Sequence, residues 1–378
     1  MKNLFTFSFF LLFSAIIPVS ATTFTVDNNA GSTAQYTNLQ TAIDAAQPGD
    51  TLLVAGSATS YGNVTVRKKL ILIGAGYAGL QSSISNLTFL NLTAASGSSD
   101  SFVSGFSING IRFGTSYTGQ TGRASLSGLI VERSNLTTIN FDNTQDDYSN
   151  FIFRNNILNG TTNFNSNNSL EATYSNMLFS NNIHNAGVFF SGVNVSISNG
   201  QEFISSLQNV SGVAIRNGIF IGSSSAAFSD MRGATVENNI FYSRNLISEA
   251  DYASFDSLQY SLNFNNNITY LTSQDLTLNS WYAVGADNQM ADPLFESFPV
   301  DGAAFSVDHN YRLKAGSPGV GAGVNGEDLG IYGGTYPWPG DLALYPKGPR
   351  MTELKPVGSP SVPAGSTLEV QFKSVINN

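Results

Sequence analysis

Charge is scarce in this chain, and two arginines recur at one register. Of 378 residues only 11% are charged, 17 basic against 26 acidic, so the position of each one carries information. Arg133 and Arg154 each stand three places before an aliphatic residue that recurs along the sequence. Glu132 precedes the first, and Asp146, Asp147 and Tyr148 lie between the two. If that register faces outward, successive guanidiniums form a short basic strip. A guanidinium fork matches carboxylates and sulfates, so an acidic glycan is the ligand chemistry it suits. The candidate glycan-facing set is Arg133, Arg154, Glu132, Asp146, Asp147 and Tyr148. The bland alternative is that the arginines pair with loop carboxylates and lay their stems on the wall. A ligand strip predicts that Arg133→Ala/Arg154→Ala spares stability; a structural role predicts that it does not.

Other residues capable of chemistry are few. Asp142, Asp146 and Asp147 are oxygen donors of the kind a calcium ion takes, with a solvated loop as the alternative; no other cofactor is expected. The only histidines are His184 and His309; His184 follows the recurring aliphatic position and reads as a packed or turn residue. There is no cysteine, which excludes a disulfide framework and thiolate metal sites. A net charge of −9 excludes tight binding of nucleic acid, since nothing could neutralise a row of phosphates.

The elements that must position these residues follow from a repeat. Ile111, Leu136, Ile157, Ile183, Ile219, Ile240 and Ile268 are spaced by 25, 21, 26, 36, 21 and 28 residues. One place earlier stands only Asn or Gly: Gly110, Asn135, Asn156, Asn182, Gly218, Asn239 and Asn267. Two places earlier stand Asn109, Ser134, Asn155, Asn181, Asn217, Asn238 and Asn266. Asn and Gly tolerate the left-handed αL conformation, which costs other residues roughly 1–2 kcal/mol. The Asn/Gly column is therefore assigned the αL bend. The turn ladder is drawn through Asn109, Asn155, Asn181, Asn217, Asn238 and Asn266, with amides bonded along an axis. Drifting periods of this size mark a solenoid, each repeat one coil. The stretches Phe151–Arg154, Met177–Ser180, Val213–Arg216, Ala234–Glu237 and Leu262–Asn265 read as strands. The fold predicted is all-β, a right-handed parallel β-helix with the aliphatic column stacked inside.

Both ends agree. Leu39, Ala42, Ile43 and Ala46 recur at helical spacing, so a short amphipathic helix is expected to cap the first coil before Pro48-Gly49-Asp50 turns into a strand. The far end carries Asp292-Pro293-Leu294-Phe295, Tyr311-Arg312-Leu313, Ser317-Pro318 and Asp328-Leu329-Gly330. These segments resemble those of secreted proteins with the pectin-lyase-like right-handed β-helix, over most of residues 24–335. That resemblance implies the fold; the scaffold carries lyases, hydrolases, epimerases and adhesins alike. Of the family's hydrolase signatures a paired aspartate, Asp146-Asp147, occurs here, while the Gly-His-Gly, the Arg-Ile-Lys and the arginine segment of its lyases do not.

Three segments follow. Residues 1–21 read as a signal peptide, with Lys2, an apolar run from Leu4 to Ile17 and a small-residue site at Val19-Ser20-Ala21. Residues 22–335 are the β-helix. Residues 336–378 hold seven of the 12 prolines within a short stretch and read as a linker ending in a strand at Thr367–Phe372. The expectation is a secreted, monomeric protein with no transmembrane segment, binding a polysaccharide or surface glycan without an identifiable catalytic residue. A polysaccharide lyase or glycoside hydrolase acting on an acidic glycan is the alternative.

Overall fold

Short strands joined by one repeated turn wind this chain into stacked parallel sheets. A computed structural model describes residues 21–375 except 78, 94–95, 115–124, 142–146, 165–172, 186–189, 192–211, 224–225, 230–233, 248–261, 274–282, 300, 302–303, 341, 343–349 and 357–369. The segment read as a signal peptide lies, but for Ala21, outside the described residues. The architecture is the expected all-β parallel solenoid. An 11-stranded sheet and a 13-stranded sheet form two walls, and a 3-stranded sheet (Leu126–Ser127, Asp147–Ser149, Thr173–Ser175) adds a third in the middle coils. The helix Leu39–Ala45 buries Leu39, Ala42 and Ile43 in the same core, and the Asn38 side chain accepts from the Thr41 N–H.

The lumen is built from columns of apolar residues in register. In the first sheet Leu52, Leu72, Val103, Val131, Phe153, Phe179, Ile215, Val236 and Phe264 pair rung by rung, all buried. Strand side chains alternate between faces, so their neighbours point outward. In the second sheet Phe89, Phe113, Phe141 and Phe164 stack with ring centroids 5.7, 5.2 and 5.2 Å apart. Each such contact contributes about 0.5–1.5 kcal/mol beyond the area it buries.

The repeated turn is real, but its two residues exchange roles. Positive φ falls two places before the aliphatic residue, at Asn155 (52°), Asn181 (54°), Asn217 (51°), Asn238 (59°) and Asn266 (53°). The residue after each is the ladder. Asn156 donates to Asn182 Oδ1 at 3.1 Å through its amide and at 2.9 Å through its backbone, while Asn182 Nδ2 donates to the Phe153 carbonyl at 2.8 Å. Asn239, Asn267 and Asn288 repeat the pattern. The αL assignment of the Asn/Gly column is thus corrected. The αL residue turns the chain, and the next one carries the amide that satisfies backbone groups of neighbouring coils. Asn109 belongs to neither column: it is exposed in strand Phe106–Phe113, and Gly105 (φ 80°) takes the bend in that coil.

The aliphatic column also needs correction. Ile157, Ile183, Ile219, Ile240 and Ile268 stack on successive rungs. The rung above Ile157 is Asn135, not Leu136; Leu136 pairs with Leu158 and Ile108, and Ile111 with Ile139. Nor do the five isoleucines face the lumen. They form a second core with Phe295, Tyr311, Leu329, Ile331 and Trp338 from the C-terminal segment. The lumen column beside them is Leu158, His184, Phe220, Phe241 and Thr269.

That C-terminal segment is a strap, running back along the solenoid over the isoleucines. The αL asparagines hold it in order: Asn266 donates to Ala322 O (2.9 Å), Asn238 accepts from Val324 N–H (2.9 Å), Asn181 donates to Gly333 O (2.7 Å) and Asn155 to Tyr336 O (2.8 Å). Trp338, inside the span read as a linker, is buried against Tyr77 and donates its indole N–H to Asn181 O at 2.6 Å. Beyond it Arg350–Pro356 and Val370–Val375 form an antiparallel pair that includes residues 370–372 of the expected terminal strand, and 367–369 lie outside the described residues.

Two predictions follow from this packing. Asn182→Val removes the partners of the Asn156 N–H and the Phe153 carbonyl, both buried, and is expected to cost about 2–5 kcal/mol. Asn163→Val loses one half-exposed bond to Asn140 (2.7 Å) and should cost under about 1 kcal/mol. Chemical denaturation measures both, and equal midpoints would deny the ladder its role. Gly330 has φ 76°, and a Cβ there would lie 2.9 Å from Ile240 Cδ1. Gly330→Ala should therefore cost about 1–2 kcal/mol and speed cleavage within 322–340 in limited proteolysis. An unchanged cleavage rate would show that the strap does not depend on close seating there.

Candidate functional site

The outer face of the 11-stranded sheet carries two outward columns side by side. One runs Phe102, Ile130, Ile152, Leu178, Ala214, each half-buried. The other runs Ser104, Glu132, Arg154, Ser180, Arg216, Glu237, Asn265. Both arise from simple alternation on either side of the lumen column that begins Val103, Val131, Phe153. The rung rise of a parallel stack is about 4.8 Å, so the rungs the two columns share span about 2 nm, with Ser104, Glu132 and Ser180 buried and the other members reaching solvent.

The predicted arginine ladder is not a ladder of like charges. Glu132, not Arg133, is the rung above Arg154. Arg133 is the αL residue of its coil, with φ 52°. The one-residue offset arises because Asn135-Leu136 imitates Asn156-Ile157 in sequence, while the true equivalent of Asn156 is Ser134. Glu132 is buried and bridges both guanidiniums, 3.2 Å from Arg133 Nε and 2.6 Å from an Arg154 terminal nitrogen, with a second Arg154 contact at 2.7 Å. Arg154 also lies 4.5 Å from the centre of the Tyr336 ring, so it fastens the strap. Lower on the same column Arg216 pairs with Glu237 at 3.0 Å. Each carboxylate on this face is therefore paired, and three guanidiniums against two carboxylates leave a net charge of about +1.

The remaining members of the predicted set separate. Tyr148 is a correction: it is fully buried among lumen aromatics, ring centroids 5.1 Å from Phe141 and 5.5 Å from Tyr174, and donates to the Phe113 carbonyl at 2.9 Å. It cannot meet a ligand on the outer face. Asp147 is half-buried in strand Asp147–Ser149 of the third sheet. Asp142 and Asp146, the other two residues of the calcium set, lie outside the described residues. Among the described residues no helix is long and apolar enough to cross a membrane.

His184 sits in the lumen, packed flat on Phe220 at 4.0 Å between centroids. Burial, and then the charge of nearby Arg244, holds its imidazole well below the ordinary value. A proton on it would be forced into an apolar channel beside a cation.

A second constellation escaped the sequence reading because its members are far apart in the chain. Tyr242 and Tyr270 occupy adjacent rungs at the end of the 13-stranded sheet, and their hydroxyls donate to the two oxygens of Asp301 at 3.0 and 3.1 Å. Phe298 packs on Tyr242 at 4.6 Å between centroids. Both phenols are raised above their ordinary value, by burial first and then by Asp301. The only sequence hint was the paired rung tyrosines themselves.

No family model matches the chain, and no curated protein matches it either.

Two measurements test these placements. Arg154→Ala leaves Glu132 buried with one partly exposed cation, and is expected to lower stability by about 3 kcal/mol. This reverses the outcome that a ligand strip predicts, and a melt within a degree of the parent would restore the strip. For His184 the sign follows from linkage. The unfolded imidazole takes a proton below about pH 6.5, the folded one does not, so stability is lost as pH falls below that value, by at most about 1.4 kcal/mol per pH unit. His184→Phe should flatten the pH dependence of the melting temperature between about pH 6.5 and 4.5. An unaltered profile would mean that His184 does not govern acid lability.

Proposed function

We propose that the protein is a secreted, non-catalytic β-helix that binds an extended, uncharged polysaccharide along the outer face of its 11-stranded sheet. The supporting observation is the pair of columns on that face, half-buried Phe102, Ile130, Ile152, Leu178 and Ala214 beside the solvent-reaching Arg154, Arg216 and Glu237, with Glu132 and Ser180 buried between them. A sugar polymer has apolar ring faces and hydroxyl edges, repeated at a regular interval. A surface with apolar and hydrogen-bonding columns repeating every ~4.8 Å offers matching contacts in series.

Charge pairing favours a neutral ligand. Each carboxylate of the column is bound to a guanidinium, so the three guanidiniums keep a net charge of only about +1 with which to attract uronates or sulfates. The same pairing favours binding over hydrolysis. Glu132 and Glu237 are four rungs apart, about 19 Å at the rise of a parallel stack. Glycoside hydrolysis needs two carboxyl groups roughly 5–9.5 Å apart across one bond.

Affinity electrophoresis through gels containing neutral or acidic polysaccharides tests this. Retardation by at least one neutral polymer is expected, little affected by salt because exposed ion pairs do not carry it. Leu178→Asp, at a half-exposed position, should weaken retardation about tenfold, the effect of removing an anchor that contributes about 1.4 kcal/mol, while melting within two degrees or so of the parent. Retardation by acidic polymers alone, or full retardation of Leu178→Asp, would sink the assignment. Release of new reducing ends or unsaturated products would replace binding with catalysis.

A further inference from the structure

Asp301 is an exposed carboxylate held in place rather than left to swing. Tyr242 and Tyr270, one rung apart, fix its two oxygens from below with hydroxyl donors at 3.0 and 3.1 Å. A carboxylate has about four acceptor sites and the phenols occupy two of them. The remaining lone pairs are available on the solvent side, where Asp301 is exposed. Beside it, the Tyr270 and Phe298 rings are half-buried, each packed on the buried Tyr242 at 5.4 and 4.6 Å between centroids. A fixed acceptor pair next to partly exposed aromatic faces is the combination that takes a sugar ring, C–H groups on the aromatics and adjacent hydroxyls on the carboxylate.

We propose that Tyr270, Phe298 and Asp301 form a separate subsite, at the C-terminal end of the solenoid, for one or two uncharged sugar units. It rests on the glycan reading above but not on the sheet face that carries it. The ligand is uncharged because Asp301 and the neighbouring Asp292 both place negative charge at this end, and each raises the Tyr270 phenol further. A uronate would meet that charge. The strap supplies Phe298 and Asp301, and the last full rung of the sheet supplies Tyr270. The subsite exists only when the strap is seated.

Variants rather than ligand length separate this subsite from the long face, since a tetrasaccharide about 20 Å long could follow about four rungs of either. The full chain is titrated by calorimetry with cellotetraose, xylotetraose, mannotetraose and maltotetraose, and with tetragalacturonate as the charged counterpart. At least one neutral tetrasaccharide is expected to bind, and tetragalacturonate is not. Asp301→Asn, which keeps the shape but loses the charge, and Tyr270→Ala should each weaken that binding about tenfold, the scale of one charge-assisted hydrogen bond. Tyr270→Phe keeps the ring and releases one side of the carboxylate, and should weaken it less. Leu178→Asp should bind the oligosaccharide as the parent does. Undiminished binding by Asp301→Asn and Tyr270→Ala overturns the subsite, as does the absence of any neutral binding or a preference for tetragalacturonate. If polymer retardation persists while the oligosaccharides fail, the long face stands and the cluster only fastens the strap. If the oligosaccharides bind and no polymer is retarded, the sheet-face assignment fails instead.

Discussion

Everything in this molecule depends on one bend that must be made in almost every coil without leaving backbone groups stranded. Turning from one wall to the next takes a residue with φ near 50–60°, supplied by Asn155, Asn181, Asn217, Asn238 and Asn266. The next residue is then buried beside carbonyls and N–H groups of the adjacent coils that no strand can pair. Unpaired, each would cost about 1–3 kcal/mol. The Asn156–Asn182 and Asn239–Asn267–Asn288 ladders supply those partners from the side chain. Gly218 interrupts the series, but its own N–H still donates to Asn239 at 2.7 Å.

The bend also explains the strap. An αL asparagine whose neighbour fills the interior leaves its own amide pointing out of the turn. Five such amides in register form a line of donors and acceptors, and the C-terminal segment lies along it from Ala322 to Tyr336. The isoleucines that follow each turn supply the apolar floor, so one repeated tripeptide builds a turn, a ladder and a binding line for the chain's own end. Burial of Leu329, Ile331 and Trp338 on that floor makes the strap part of the core.

Charge is used with the same economy. Glu132 between Arg133 and Arg154, and Glu237 against Arg216, put opposite signs on consecutive rungs, where like signs would repel at the short spacing of a parallel stack. Pairing reduces the field of this face and leaves shape and hydroxyl-sized hydrogen bonding as its main means of recognition. Tyr242, Tyr270 and Asp301 show the same habit at the C-terminal end, with phenols in place of guanidiniums.

By itself the sequence determined the solenoid, the strands from Phe151 to Asn265 that precede the turns to within about a residue and the helix near Leu39, because period, alternation and the conformational tolerance of Asn are local properties. It also marked both members of the turn, though it could not divide their roles: Asn serves equally as an αL residue and as an amide ladder. Register in two coils was misread for the same reason: Asn135-Leu136 has the composition of Asn156-Ile157 but sits one place later, and Gly110-Ile111 lies within strand Phe106–Phe113, past Ser107 on the rung of Asn135. Only the tertiary structure decided which side of the wall Ile157 to Ile268 face. An aliphatic residue records that it will be buried and not by what, and their cover comes from a segment near Leu329 and Trp338 that is distant in sequence. The arginines were settled in the same way. Whether Arg154 meets a ligand or Glu132 depends on a rung pairing that only the folded stack defines.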